Sequence, residues 1–435
     1  MRRSPRNLRI ACNHEGLTHF GGVYFLHEFL QVLQMRDFLA RHLTYPRRNH
    51  HYSVSQMILA LMYPIVLGLD RLETASFLRF NGTFQYLTGM SSFPDPQTLR
   101  RFLIQAPSLF GEQLRRINDR LLQTFIHMPS PRSRLILDLD STVLTVYGHQ
   151  EKAAVGYNPH ARGKRCYHPL LCIEANSGYL WDLVLRPGNV VAWADSLEML
   201  DHSLICKTDR VREVRARADS GFGYEPVLKH LEDWSVDYAV VARLSRVLKR
   251  ILPGLEYQPY SPSWEVAEFE HQHWGWSKAR RFVVARRLQE LTESQPTLFA
   301  SGRYLYRAWV TNLSLTPAGV WHFYEGRAAM EPRIAELRGD FALRHIPTHS
   351  FGANTLFFEI IRLAYNLVTA FQRTCLPETW QHLTLQQLRY KLFLLPGELV
   401  RPQNKPILRL QHSKYVQDLT NKILPNVYHL KPIRV

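Results

Sequence analysis

The sequence predicts an α/β fold preceded by an all-helical region, and three observations carry that expectation. Up to about residue 130 apolar residues recur at three- and four-residue spacing. From residue 134 the pattern changes to short runs rich in Val, Ile and Leu. Those runs then alternate with helical periods, in the order strand, strand, strand, helix, strand, helix, strand, as in a mixed α/β domain rather than separate layers.

In chain order, residues 23–43, 53–67, 72–80, 98–103 and 109–125 carry helical spacing. Ser53 and Thr98 stand where N-caps would, Pro46, Pro94, Pro96 and Pro107 break the pattern, and Gly68 follows the second helix. Strands are expected at 134–140, 167–175 and 180–185, the last two joined by the Asn176-Ser177-Gly178 turn. A helix at 193–204, a strand at 214–218, a helix at 225–234 and a strand at 236–242 follow. Residues 244–307 interrupt this order with tryptophans, prolines and cations, which predicts a β-rich insertion, and 304–310 reads as another strand. The apolar run 351–371 reads as a long core helix.

The chain has 435 residues, 46% of them hydrophobic, enough for two or three domains with real cores. Lys and Arg number 54 against 37 acids, a net charge of +17, which points to a polyanionic partner, nucleic acid first. Residues 377–435 add a second basic footprint, with nine Lys and Arg against three acids. No apolar run approaches the length of a membrane-spanning helix, and the first residues lack an apolar signal core, so a cytoplasmic protein is expected. The five cysteines, Cys12, Cys166, Cys172, Cys206 and Cys375, are odd in number and form no Cys-x-x-Cys pair. Neither a disulfide framework nor a zinc site is indicated by that spacing.

The candidate chemistry sits at strand ends. Asp138 and Asp140 are two apart and share a face of the first strand, a period that does not choose between them. Asp219 ends the fourth strand before a Gly-containing turn. Carboxylates converging from separate elements are what metal-assisted phosphoryl transfer requires, because hard cations must be held by oxygen donors. Further along, Tyr324, Arg327, Glu331 and Arg338 fall at offsets of three, seven and fourteen, one helical face that joins two cations to a carboxylate. Pro332 restricts this face. Proline is tolerated only in a helix's first turn, so Glu331 belongs at or just before a helix start, with Tyr324 and Arg327 on the preceding turn.

With these motifs the sequence resembles the DDE transposases of bacterial insertion sequences, specifically the insertion-sequence-4 superfamily and its 1380-type group. The resemblance rests most on Tyr324, Arg327 and Glu331, which match the Tyr-x2-Arg-x3-Glu-x6-Lys signature; Arg338 replaces the usual lysine and keeps the charge. The Asp138 to Thr142 strand, Gly148-His-Gln150, Gly156-Tyr-Asn158 and Asp219-Ser-Gly-Phe222 look like the group's other blocks. What the resemblance implies is a ribonuclease-H-like mixed-sheet catalytic domain over 131–376 with its β-insertion at about 244–307. A helical DNA-end-binding region over 1–130 and a basic DNA-binding or dimerisation tail over 377–435 flank it.

By the same resemblance Asp140, Asp219 and Glu331 are the catalytic acids and ligands of Mg2+, with Mn2+ as a substitute and Asp138 as a supporting partner. Tyr324, Arg327 and Arg338 would position phosphates. Trp276 would stack on an extruded base, with Lys278, Arg280 and Arg281 on the neighbouring phosphates. The implied partners are double-stranded DNA, as terminal inverted repeats and target, and a second copy of the chain in a synaptic complex; the implied setting is the bacterial nucleoid. The implied activity is cut-and-paste transposition. Two rivals use the same residues: a nuclease of the same fold that cuts without joining, and an inactive DNA-binding descendant. His149 and His168 are read as structural.

Overall fold

The structure is a computed structural model and describes residues 10–433 apart from 13, 47–49, 160, 192 and 289–303. The helical region opens with a two-residue strand, β1 (Leu17–Thr18). It continues through α1 (Val23–Val32), α2 (Met35–His42), α3 (Val54–Leu67), α4 (Ser76–Arg79), α5 (Gly82–Leu87), α6 (Pro96–Ile104) and α7 (Phe110–Phe125). The single helix expected over 23–43 is two, because Gln34 takes a left-handed conformation (φ 53°) that no helix can continue through. Ser53 caps α3 in a reciprocal capping box with Gln56, and Gly68 closes it at φ 80°. Asp95, rather than Thr98, caps α6, with its carboxylate accepting from Gln97 N and Pro96 at the first helical position.

Among the described residues the α/β region contributes twelve strands. They are β2 (Arg134–Ser141), β3 (Leu144–Thr145), β4 (Ala154–Val155), β5 (Arg165–Tyr167), β6 (Leu170–Glu174), β7 (Leu180–Val184), β8 (Glu213–Ala218), β9 (Asp237–Val241), β10 (Gln258–Ser261), β11 (Trp264–His271), β12 (Arg280–Leu288) and β13 (Tyr304–Thr311). The strand expected over 167–175 is interrupted by His168-Pro169, since proline cannot donate to a ladder. Strands β3, β5 and β4 form a small separate sheet. The other nine form one mixed sheet in the order β10-β11-β12-β13-β9-β8-β2-β6-β7 among the described residues. Strand β2 runs parallel to β8 and β8 to β9, whereas β6 and β7 are antiparallel to their neighbours. The strands of the insertion do not stand apart: β13 pairs antiparallel with β9 and carries β12, β11 and β10 outward as an extension of the same sheet.

Helices α8 (Ser196–Ile205), α9 (Glu225–Asp233), α10 (Arg246–Ile251), α11 (Pro317–Glu325) and α12 (Met330–Gly339) connect these strands, and α13 (Phe351–Cys375) joins sheet to helical region. Helix α13 is buried along most of its length, packing on α3, α6 and α7 as well as β7. Asn366 fixes it to the sheet by accepting from Leu180 N and donating to Leu180 O, each at 2.9 Å. A second, smaller core lies under the extension, where Trp309, Trp321, Val283, Ala285 and Val320 meet.

Residues beyond 377 fold back rather than trail. Helices α14 (Leu385–Leu388) and α15 (Lys414–Tyr428) flank β14 (Gly397–Val400) and β15 (Ile407–Leu410), and β14 pairs with β1. Gly22 permits the close approach, because a side chain there would run into Leu392 O. Arg389 is buried and donates to Val66 O and Ile65 O, both at 2.7 Å, so one of this segment's nine cations holds the fold. Lys391, Arg401, Lys405, Arg409, Lys414, Lys422 and Lys431 are exposed; Arg434 lies outside the described residues. No single helix among the described residues is long and apolar enough to cross a membrane.

Candidate active site

Adjacent parallel strands bring the first two acids together. The β2–β8 register matches Asp138 to Arg217 and Leu139 to Ala218, so Asp140 and Asp219 are the next residues out at the same end of the sheet. The two aspartates of β2 share a face but not an environment. Asp138 is 1% exposed and is gripped by Arg217 from the neighbouring strand, at 2.6 Å (Nε) and 2.8 Å (Nη2). Burial pushes its carboxyl up, against the pull of Arg217. Asp140 is partly exposed; its Oδ1 accepts from Ser141 N at 2.7 Å, and its Oδ2 meets Arg327 at 2.8 Å. Burial raises this carboxyl too, and the charge of Asp219 adds to the rise while Arg327 opposes it.

Tyr324 and Arg327 arrive where α11 gives way to a 3-10 turn at Gly326–Ala329. Gly326 is required there. A side chain on it would collide with the Arg217 guanidinium, which donates to Phe323 O at 2.7 Å. Arg327 is buried and also donates to Leu139 O at 3.1 Å, so the cation lies across the end of β2. Burial alone would lower its pKa, but Asp140, Tyr324 and Asp219 hold it above the ordinary value. The Tyr324 hydroxyl is raised by burial and by both aspartates, so it stays protonated as a donor.

Glu331 is exposed in the first turn of α12, with Pro332 beside it, and Arg338 is half-buried in the last turn of the same helix. Glu331 lines a cavity of about 580 Å³ with Tyr306, Trp309, Trp321, Tyr324 and Arg327. Its carboxylate is not closed onto the two aspartates. Among the described residues, the one trio of His, Cys, Asp or Glu whose donor atoms all lie within 4.8 Å of one another is elsewhere, at Asp119, His202 and Cys206. The aromatic wall of the cavity is continuous, with Trp309 stacked 6.0 Å from Trp321 and 5.7 Å from Tyr324. Both indole N–H groups are buried without a hydrogen-bond acceptor.

The insertion's candidate residues are placed differently from the expectation. Trp276 is stacked on Phe282 at 5.9 Å and 16°, with the Arg280 guanidinium 4.9 Å from its ring. Arg280 is itself buried and held by Glu225 and Glu232, so reaching a phosphate would strip two carboxylates of their partner. Arg281 is engaged by Glu268 and by Leu313 O and Leu315 O, and Lys278 meets Glu232 at 3.0 Å while remaining largely exposed. Trp274, at the turn before Trp276, is fully exposed.

Of the remaining motifs, Asn158 is buried and ties Thr145 to Ala161 within the small sheet, and His149 meets Arg165. His168 donates to or accepts from Ser141 Oγ at 3.0 Å, directly beside Asp140, and burial lowers its pKa. Arg217 is the site residue that sequence reasoning did not single out. Its signal was present: a cation between two alanines in the buried half of the strand, two residues before Asp219.

Residues 2–432 match the profile of the family described as "Transposase DDE domain group 1". Among solved structures, the chain is similar to a piggyBac transposase in a synaptic complex with hairpin DNA, at 11% identity and a TM-score of 0.43, over 95% of this chain and 85% of that one. No curated protein matches.

Proposed function

The chain belongs to the group 1 DDE transposase family, and on that premise we propose that it cuts DNA at the ends of a mobile element and joins the freed 3′-hydroxyl to target DNA. The observation that carries the reading is the pairing of Asp140 with Asp219 at one end of adjacent parallel strands, under the Tyr324–Arg327 turn. The order β7-β6-β2-β8-β9, antiparallel on one side of β2 and parallel on the other, supports a ribonuclease-H-like sheet with the insertion added at its β9 edge. The sequence motifs support the 1380-type group of bacterial insertion sequences.

Asp140, Asp219 and Glu331 offer only hard oxygen donors, a set that suits Mg2+, with Mn2+ as a substitute. The chemistry supplied by two such ions is Lewis acidity at the attacking and leaving oxygens of a phosphodiester. The protein's own residues do the rest. Arg217 neutralises Asp138 and keeps it from competing, which leaves the partly exposed Asp140 as the carboxylate available on that face. Arg327 holds Asp140 in place by its Oδ2 and, with the protonated Tyr324 hydroxyl, presents donors to a phosphate. Arg338 adds a further cation in the last turn of α12, the helix that carries Glu331. The half-buried Tyr306 and Tyr324 rings of the cavity beside Glu331 have the planar, apolar character that receives a base turned out of the stack, a role the sequence assigned to Trp276. Double-stranded DNA, with a second copy of the chain bridging two ends, is the partner this chemistry needs.

The test is incubation of the protein with its element's end sequence, a target duplex and Mg2+, with products resolved on a denaturing gel. Nicked and joined products are expected from the wild type and neither from Asp140→Ala. Cleavage without any joined product would replace the reading with that of a nuclease.

A further inference from the structure

Away from the strand-end acids, three donors of three different kinds converge between the helical region and the α/β region. Asp119 comes from α7, His202 from α8 and Cys206 from the cap of α8, and their donor atoms all lie within 4.8 Å of one another. His202 and Cys206 are four apart on one helix, which puts imidazole and thiol on a common face. His202 Nε2 is 2.9 Å from Asp119 Oδ2 and 3.5 Å from Cys206 Sγ.

The surroundings orient each donor. His202 Nδ1 meets Asp182 Oδ2 at 3.0 Å, which directs Nε2 toward Asp119 and Cys206. Asp182 is fully buried and anchored in turn by Arg115 at 2.6 Å. The other oxygen of Asp119 is held by Arg362 at 2.9 Å, leaving Oδ2 as the inward donor. A histidine whose second nitrogen is fixed by a carboxylate is the arrangement that sets ring orientation and basicity in zinc sites. Asp119 also lines a cavity of about 480 Å³ with Gln113, Arg116 and Gln123.

We propose that Asp119, His202 and Cys206 form a zinc site, distinct from the catalytic carboxylates and clasping α7 to α8. The sulfur and nitrogen donors select a borderline dication of the Zn2+ kind, whereas Asp140, Asp219 and Glu331 offer oxygen alone. Binding displaces the proton shared between His202 Nε2 and Asp119 and the thiol proton of Cys206. Two protons leave for one dication, so the net charge of the buried cluster is unchanged.

The probe is Co2+ added to the full-length, chelator-stripped protein, read by the thiolate-to-cobalt charge-transfer band in the near ultraviolet, with Zn2+ as competitor. One equivalent should give the band, and Zn2+ should abolish it. Asp140→Ala and Cys12→Ser should keep it; His202→Gln and Cys206→Ser should lose it. Wild-type protein gives a second measurement that needs no variant: Zn2+ should slow alkylation of Cys206 at least tenfold, read by peptide mass spectrometry. Absence of the band in folded wild type, its survival in Cys206→Ser, or equal labelling of Cys206 with and without Zn2+ would each overturn the proposal.

Discussion

Arg217 grips Asp138 through two charge-assisted hydrogen bonds, and this fork divides the roles of two carboxylates that stand on the same face of one strand. Arg217→Ala would leave Asp138 buried and uncompensated, at a cost of about 3–5 kcal/mol in stability. Asp140→Asn, which leaves buried Arg327 an acceptor, should keep the melting temperature closer to wild type and abolish cleavage. Denaturant unfolding and a cleavage gel on both variants check the division; a stable but inactive Asp138→Ala with an active Asp140→Asn would reverse it.

Gly326 lies against the same guanidinium. Gly326→Ala should displace Arg217 at an overpacking cost of about 1–3 kcal/mol. Cleavage should fall as well, since the Tyr324–Arg327 turn moves with it. Gly82→Ala, where an added Cβ meets nothing within 4 Å, is the control expected to leave both unchanged.

Glu359 on α13 supplies the pH dependence. Burial pushes its carboxyl up to about 7, with Asp182 and Asp119 adding to the rise and Arg362 and Arg115 opposing it. A raised folded-state value favours the native state below the unfolded value of 4.5, and this contribution disappears as pH climbs through 7. Glu359→Gln keeps an acceptor for Asn118 and removes the titration. Its stability relative to wild type should therefore improve between pH 5 and pH 8 by up to about 3 kcal/mol. Urea unfolding at the two pH values measures this, and a difference independent of pH would remove Glu359 as the cause.

Trp276 packs on Phe282 and Arg280, so Trp276→Ala should lower nicking, hairpin and double-strand products together and depress the melting temperature. Tyr306→Leu, at a half-buried ring of the cavity, should affect hairpin more than the first nick if the cavity receives an extruded base. One time course that resolves the three products separates these outcomes.

Binding to DNA should weaken steeply with salt, log K falling by about 0.9 per phosphate neutralised for each tenfold rise in salt. Because β14 and α15 pack into the fold, truncation would confound the measurement. Replacing exposed Arg401, Lys405 and Arg409 by Gln should flatten the slope by up to about 3 if each meets a phosphate. An unchanged slope would take this face off the DNA.

Much of the fold was legible because its elements are periodic and punctuated. Ser53, Gly68 and Pro332 mark boundaries through local backbone chemistry, which sequence records directly. Gln34 was not readable in this way, since nothing in its side chain demands a left-handed backbone. Asp138 and Asp140 could not be separated by strand period, because what separates them is a partner 79 residues away in Arg217. Lys278, Arg280 and Arg281 read as a phosphate-binding run, yet Glu225, Glu232 and Glu268 had already claimed them across the fold. Spacing among cysteines gave no hint of the Asp119–His202–Cys206 cluster, whose members come from two distant helices.

The pairing of Leu17–Thr18 with Gly397–Glu398 closes a loop of nearly the whole described chain through two strands that are each too short to persist alone. A ribosome delivers Leu17 long before it delivers Glu398, so the helical region must wait, with the groove around Gly21 and Gly22 unfilled, until the late strands emerge. A nascent or prematurely ended chain thus already holds both aspartates and Glu331 but lacks the segment that seals its first helices. The closing strands thus make the covering of the first helices a long-range step that depends on a segment far along the sequence.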